Sequence, residues 1–130
     1  MAVRESLTRS GRAWLDEENG IVQFRASGVD QDLEDAKANM VAIKEVSGDR
    51  VYPMLVDLTG AKGLRPDARD YYGSPFARTH YRAMALVGTS PVSRMLANVW
   101  FTLFGDRNAP SVKVFSNLPD AIKWLKGFGG

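Results

Sequence analysis

Three short apolar runs, "YPMLVDL" at 52–58, "RAMALVG" at 82–88 and "SVKVFS" at 111–116, are separated by stretches long enough to hold a helix. The first, flanked by turn signals, reads as a buried strand. Strands alternating with helices imply mostly parallel pairing, because a parallel neighbour needs a long crossover. The stretches before, between and after these runs carry helix signals. "DQDLEDAKANMVAIKEVSGD" places Leu33, Ala36, Met40 and Ile43 on one helical face, with Asp32 suited to the N-cap and Gly48 to the stop. Pro66 fits a first helical position, with Asp67 at the positive end of the dipole. Gly73-Ser74-Pro75 should break that helix, and Ser90 with Pro91 behind it opens the next, which Gly105 ends. "PDAIKWLKGF" makes a last helix. Upstream, "GRAWLDEENGIVQFRAS" alternates on both sides of Asn19-Gly20, which predicts a β-hairpin with a two-residue turn.

With 130 residues, 45% hydrophobic and 25% charged, the chain is sized for one α/β domain spanning 1–130. It has no cysteine, which excludes disulfides, thiolate chemistry and cysteine-ligated metals, and His80 is its one histidine. No metal site and no cofactor are expected. The opening "MAVRESLTRSGRAW" lacks the apolar stretch of a signal peptide and no run reaches the length of a membrane span, so a soluble cytoplasmic protein is the expectation. A net charge of +2 is too small to argue for nucleic acid. Its distribution is uneven: acids crowd residues 16–49, whereas Lys62, Arg65, Arg69, Arg78, Arg82 and Arg94 face only Asp67 and Asp70 over 62–94. Such runs are usually solvated faces and sometimes electrostatic partner surfaces.

The element order β-β-α-β-α-β-α-β-α, with "YPMLVDLTGAKGL", "ALVGTSPVSRMLANVW" and "PDAIKWL", resembles the STAS domains of anti-sigma factor antagonists and sulfate transporters. These segments look like the small single-domain STAS-like proteins of bacteria, most without an assigned function. The resemblance implies a mostly parallel mixed sheet with an N-terminal hairpin and about four helices. It also implies a regulatory role exerted by binding another protein. In the antagonists the loop after this strand leads into a helix whose first residues include a serine phosphorylated by a partner kinase. Here the matching stretch is Arg65-Pro66-Asp67, so the usual phosphoserine switch is not expected. Asp67 puts a carboxylate where phosphate would sit, although an acid is also simply a good first-turn residue. By position, the resemblance puts partner contacts at Thr59, Lys62, Arg65, Asp67, Arg69 and Ser74. A similar arrangement in CRAL-TRIO lipid-transfer domains implies the alternative, a small carrier of an apolar ligand.

Asp57, ending a parallel strand, stands where α/β folds place functional groups. A receiver-type phosphoacceptor would also want an acidic pair after the first parallel strand, but "IVQFRASGVDQD" passes Arg25 and Ala26 before reaching an acid. Asp57 accepting N–H bonds from its own loop is the simpler reading. Without a cysteine, and with His80 alone, the usual nucleophile–base pairs are not available, and "LTGAKGLRP" lacks P-loop spacing. No catalytic residue is assigned. "RDYYGSPFARTHYR" mixes aromatics with arginines as single-strand binders do. Tyr71 and Tyr72 cannot both face the core of one helix, so one should be a half-exposed cover residue.

The helix from 91 has an apolar arc spanning roughly half its circumference, whereas a core-facing stripe needs only about 100°. Something beyond its own sheet should therefore cover Trp100, Phe101 and Phe104: a neighbouring helix, a second protomer in a homodimer, or an apolar ligand.

Overall fold

The computed structural model describes residues 5–72, 74, 81–104 and 111–128. The chain runs β1 (Glu5–Thr8), β2 (Gly11–Asp16), β3 (Ile21–Ala26), β4 (Asp30–Gln31), α1 (Leu33–Ser47), β5 (Met54–Asp57) and β6 (Gly63–Leu64). It continues through α2 (Pro66–Tyr72), β7 (Ala83–Val87), α3 (Pro91–Phe104), β8 (Ser111–Phe115) and α4 (Leu118–Lys126). The main sheet has the order β1-β2-β3-β5-β7-β8. Its first two pairings are antiparallel and the rest parallel, so the expected α/β architecture is present.

The helices divide between the two faces as the strand pleat requires. Met54 and Val56 of β5 join Phe24, Met84 and Leu86 beneath α1, α2 and α3, which contribute Met40, Ile43, Tyr72, Ala97 and Trp100. Leu55 points the other way, with Ile21, Ala85 and Val87, toward Ala121 and Leu125 of α4. The caps follow the sequence signals. Asp32 and Asp35 form a reciprocal capping box on α1, and Gly48 closes it at φ 63°. Ser90 Oγ accepts the Ser93 amide at 3.1 Å.

Three local features differ from expectation. β1 adds a second antiparallel strand ahead of the expected hairpin. The hairpin loop itself spans Glu17–Gly20, since Asp16 pairs with Ile21. Asp16 accepts from the Asn19 amide at 3.2 Å and from Asn19 Nδ2 at 2.8 Å, so Asn19 serves a longer loop in which Gly20 takes the left-handed conformation, at φ 67°. Lastly, β4 and β6 form a two-residue parallel bridge, Asp30 to Gly63 and Gln31 to Leu64. This bridge straps the chain after β5 to the chain before α1. Gly63 suits it, because a Cβ there would lie 3.1 Å from Asp30 Oδ1.

Candidate functional site: the junction after β5

Asp57 ends β5 as a buried carboxylate on the α4 face. Its Oδ1 accepts from the Thr59 amide at 2.9 Å and from Thr59 Oγ1 at 2.6 Å. Its Oδ2 faces Arg25 Nε of the neighbouring strand at 3.4 Å. Both oxygens are thus used in folding the loop and neutralising the carboxylate, as the sequence reading of a structural Asp57 requires. Thr59 Oγ1 lies 3.2 Å from Thr89 Oγ1, so the loops after β5 and β7 touch at the carboxyl end of the sheet.

Asp57→Asn keeps an acceptor for Thr59 but loses the charge facing Arg25. It is expected to cost about 1–3 kcal/mol by urea denaturation. Incubation of the native protein with acetyl phosphate should leave its intact mass unchanged; a stoichiometric phosphoryl adduct on Asp57 would contradict the structural assignment.

From Thr59 the chain crosses an exposed stretch that a buried polar cluster holds in place. Arg65 N donates to Gln31 O at 2.8 Å, next to the β4–β6 bridge. Tyr72, on the buried side of α2, donates its hydroxyl to Gln31 Oε1 at 2.6 Å and accepts from Asn39 Nδ2 at 2.9 Å. Asn39 also accepts from Thr8 Oγ1 at 2.6 Å and contacts Ser10 Oγ at 2.8 Å. Burial pushes the Tyr72 phenol up, so it remains a neutral donor. One turn before Asn39, Arg9 Nε reaches Asp35 Oδ1 at 2.9 Å, and this bond foremost holds the Asp35 carboxyl below its usual range. The end of α2 is thereby tied to α1 and to the β1–β2 turn.

The anticipated contact residues divide by placement. Thr59, Lys62, Arg65, Asp67 and Arg69 are exposed along this tethered stretch. Ser74 is half-buried, its hydroxyl donating to Tyr71 O at 2.6 Å. Trp100 is only 5% exposed and packs its ring 4.9 Å from that of Tyr72, so it belongs to the chain's own core. Phe101 is 40% exposed. The side chain of Phe104, and His80, lie outside the described residues.

Tyr72 and Trp100 also line a cavity with Phe24, Met40, Met54 and Met84. The space in which a water-sized sphere can be centred is about 20 Å³, room for one or two waters and far short of a lipid. Among the described residues, no group of three or more acidic or histidine side chains gathers as a metal site would require. No described helix is long and apolar enough to cross a membrane.

Sequence reasoning missed Gln31 and Asn39. Asn39 falls between Ala36 and Met40 on the inward arc of α1, and its position was the one signal that could have exposed it.

No curated protein matches the chain. Its fold is similar to that of an uncharacterized protein from the DUF3478 family with a SpoIIAA-like fold, from Shewanella loihica PV-4. The TM-score is 0.58 and the identity 18%, over 95% of this chain and 92% of that one. The STAS-like fold expected from the order of elements is therefore present. A domain of unknown function, DUF7793, matches residues 13–129, and the chain belongs to that family.

Proposed function

We propose that this domain is a non-enzymatic regulatory module that binds another protein through the junction from Thr59 to Ser74. The observation that carries the reading is a contrast within that segment. Its backbone is tethered by the β4–β6 bridge and its helix by the buried Gln31–Asn39–Tyr72 cluster, while Lys62, Arg65, Asp67 and Arg69 project into solvent. A preorganised ledge loses little conformational entropy on docking, which favours affinity from few contacts. Asp57 and Thr59 are bonded to each other and to the loop, so they serve as scaffold for the ledge. The apolar-carrier alternative draws no support from a cavity of about 20 Å³.

Asp67→Ser tests the ledge. Asp67 is exposed in the first turn of α2, so the loss to the helix should be only about 0.3–1 kcal/mol, with partner affinity changed. A collapse of several kcal/mol in thermal unfolding would make Asp67 a structural residue and remove it from the contact surface.

A further inference from the structure

We infer that the partner of the junction is a protein surface of two signs, with carboxylates set against Arg65 and Arg69 and cationic side chains set against Asp67 and Asp70. Neighbours on a helix surface stand three or four residues apart, and opposite charges at those spacings attract. On α2 every such charged pair is like with like. Arg69 N donates to Arg65 O at 3.0 Å, so these two side chains leave the backbone one turn apart, and Asp67 and Asp70 are three residues apart. At about 100° per residue, the midpoint of the arginines lies about 150° around the helix from that of the aspartates. Ala68 and Tyr72 are the buried residues of α2, and all four charged residues are exposed.

The fold does not use the arginine charges. Among the described residues, no carboxylate comes within ion-pair distance of Arg65 or Arg69, whereas Arg9, Arg12 and Arg25 meet Asp35, Glu5 and Asp57. Asp67 spends one oxygen on the Ala68 amide, at 2.7 Å. Like charges side by side weaken a short helix, and a local cost with no gain inside the fold points to a surface shaped for something outside it.

The order of charge also selects the class of occupant. Nucleic acid and anionic membranes present one sign, so a surface that attracted the arginines would be repelled by the aspartates. Two arginines also fall short of the cluster of about four to eight cations that reads as an anionic-lipid site. A second copy of α2 fits the pattern only if the two helices lie parallel, since antiparallel copies set arginine against arginine, and seven residues bury little area for a stable dimer. A different protein carries both signs in a fixed order, and its carboxylates suit the guanidinium fork.

This rests on reading the junction as the docking site, and it names the chemistry that meets it there. The test incubates the full chain in a lysate of the native host and couples touching carboxylates and amines with a carbodiimide; mass spectrometry maps the new amide bonds. Asp67 or Asp70 should be joined to lysines of one partner. In Arg65→Lys/Arg69→Lys, which keeps the charge and supplies amines, positions 65 or 69 should be joined to Asp or Glu of the same partner. Arg65→Glu/Arg69→Glu should lower the yield at Asp67 and Asp70 by about tenfold or more, while the lysine variant holds it within about threefold. Thermal melts should confirm that the reversed chain folds; Arg65→Gln/Arg69→Gln provides a second variant if it does not.

A discrete partner whose yield is indifferent to loss of the arginine charges overturns the proposal and leaves the junction reading intact. So does a partner joined only through positions 65 and 69 when Asp67→Lys/Asp70→Lys leaves that yield unchanged, because its surface is then of one sign. No discrete protein adduct at any of the four positions overturns both. A dimer of the native chain that Arg65→Glu/Arg69→Glu dissociates gives the pattern to a second copy and overturns the proposal. Binding to anionic vesicles or to single-stranded RNA that the same variant abolishes gives the arginines to a polyanion and overturns it likewise.

Discussion

Trp100→Ala is expected to lower stability by about 3–5 kcal/mol, the range for truncating a large buried aromatic. Trp100 is 5% exposed, packs on Tyr72 and borders a cavity already present, so the deletion enlarges an existing void. Met40, Met54 and Met84 line the same space and are flexible enough to collapse part of it, which favours the lower half of the range. Phe101→Ala, one residue away but 40% exposed, should cost about 1 kcal/mol or less. Urea denaturation followed by circular dichroism distinguishes the two without relying on tryptophan emission. Equal losses would mean that α3 is rotated relative to its assignment here, with Phe101 sharing the inward face.

Asn39→Leu should have the second largest effect, about 3 kcal/mol, although leucine is similar in size and more apolar. The loss comes from the partners left behind. Thr8 and Ser10 lose a shared acceptor, and Gln31 and Tyr72 lose a donor, where Ser10 is 0% and Gln31 2% exposed. Buried polar groups stripped of a partner cost their desolvation outright. Tyr72→Phe removes one hydroxyl from the same cluster and should cost about 1–1.5 kcal/mol. The Asn39 variant should also raise amide exchange along α2, because the cluster connects that helix to α1. Unchanged exchange over Pro66–Tyr72 would mean that apolar packing of Ala68 and Tyr72 suffices to hold the junction.

Much of this fold could be read from local signals, because the strands at its centre are short apolar runs and the helices open on side chains that cap them. Asp32, Pro66 and Ser90 each mark a helix start within a residue. β1 escaped notice for a physical reason. It is an edge strand whose inward side chains are Ser6 and Thr8, bonded to Glu45 and Asn39, while its one large apolar residue, Leu7, is 71% exposed. A strand that packs through hydroxyls leaves no hydrophobic alternation.

The Asn19-Gly20 pair misled in the opposite direction. Asn-Gly favours a two-residue turn, but Asp16 captured the Asn19 amide and lengthened the loop to four residues. Of the tyrosine pair, Tyr72 is buried and Tyr71 half-buried, as two adjacent positions on one helix require. The sequence could not say that the phenol of Tyr72 meets Gln31, which is distant along the chain. The expected cover for α3 was placed on its aromatic residues. Trp100 turned inward, Phe101 stays 40% exposed, and Val92 and Met95 are exposed as well, since helical angle alone cannot say which edge of a wide apolar arc meets the sheet.

The proposed role depends on whether the junction is where a partner sits. Site-specific photocrosslinking in the native host tests this most directly, with a photoreactive residue placed in turn at Arg65, at Arg69 and at Lys123 on α4. One discrete protein adduct is expected from Arg65 and Arg69, lost in the Asp67→Ser background if affinity falls there, and none from Lys123. Adducts of equal yield from all three positions, or from Lys123 alone, would contradict it.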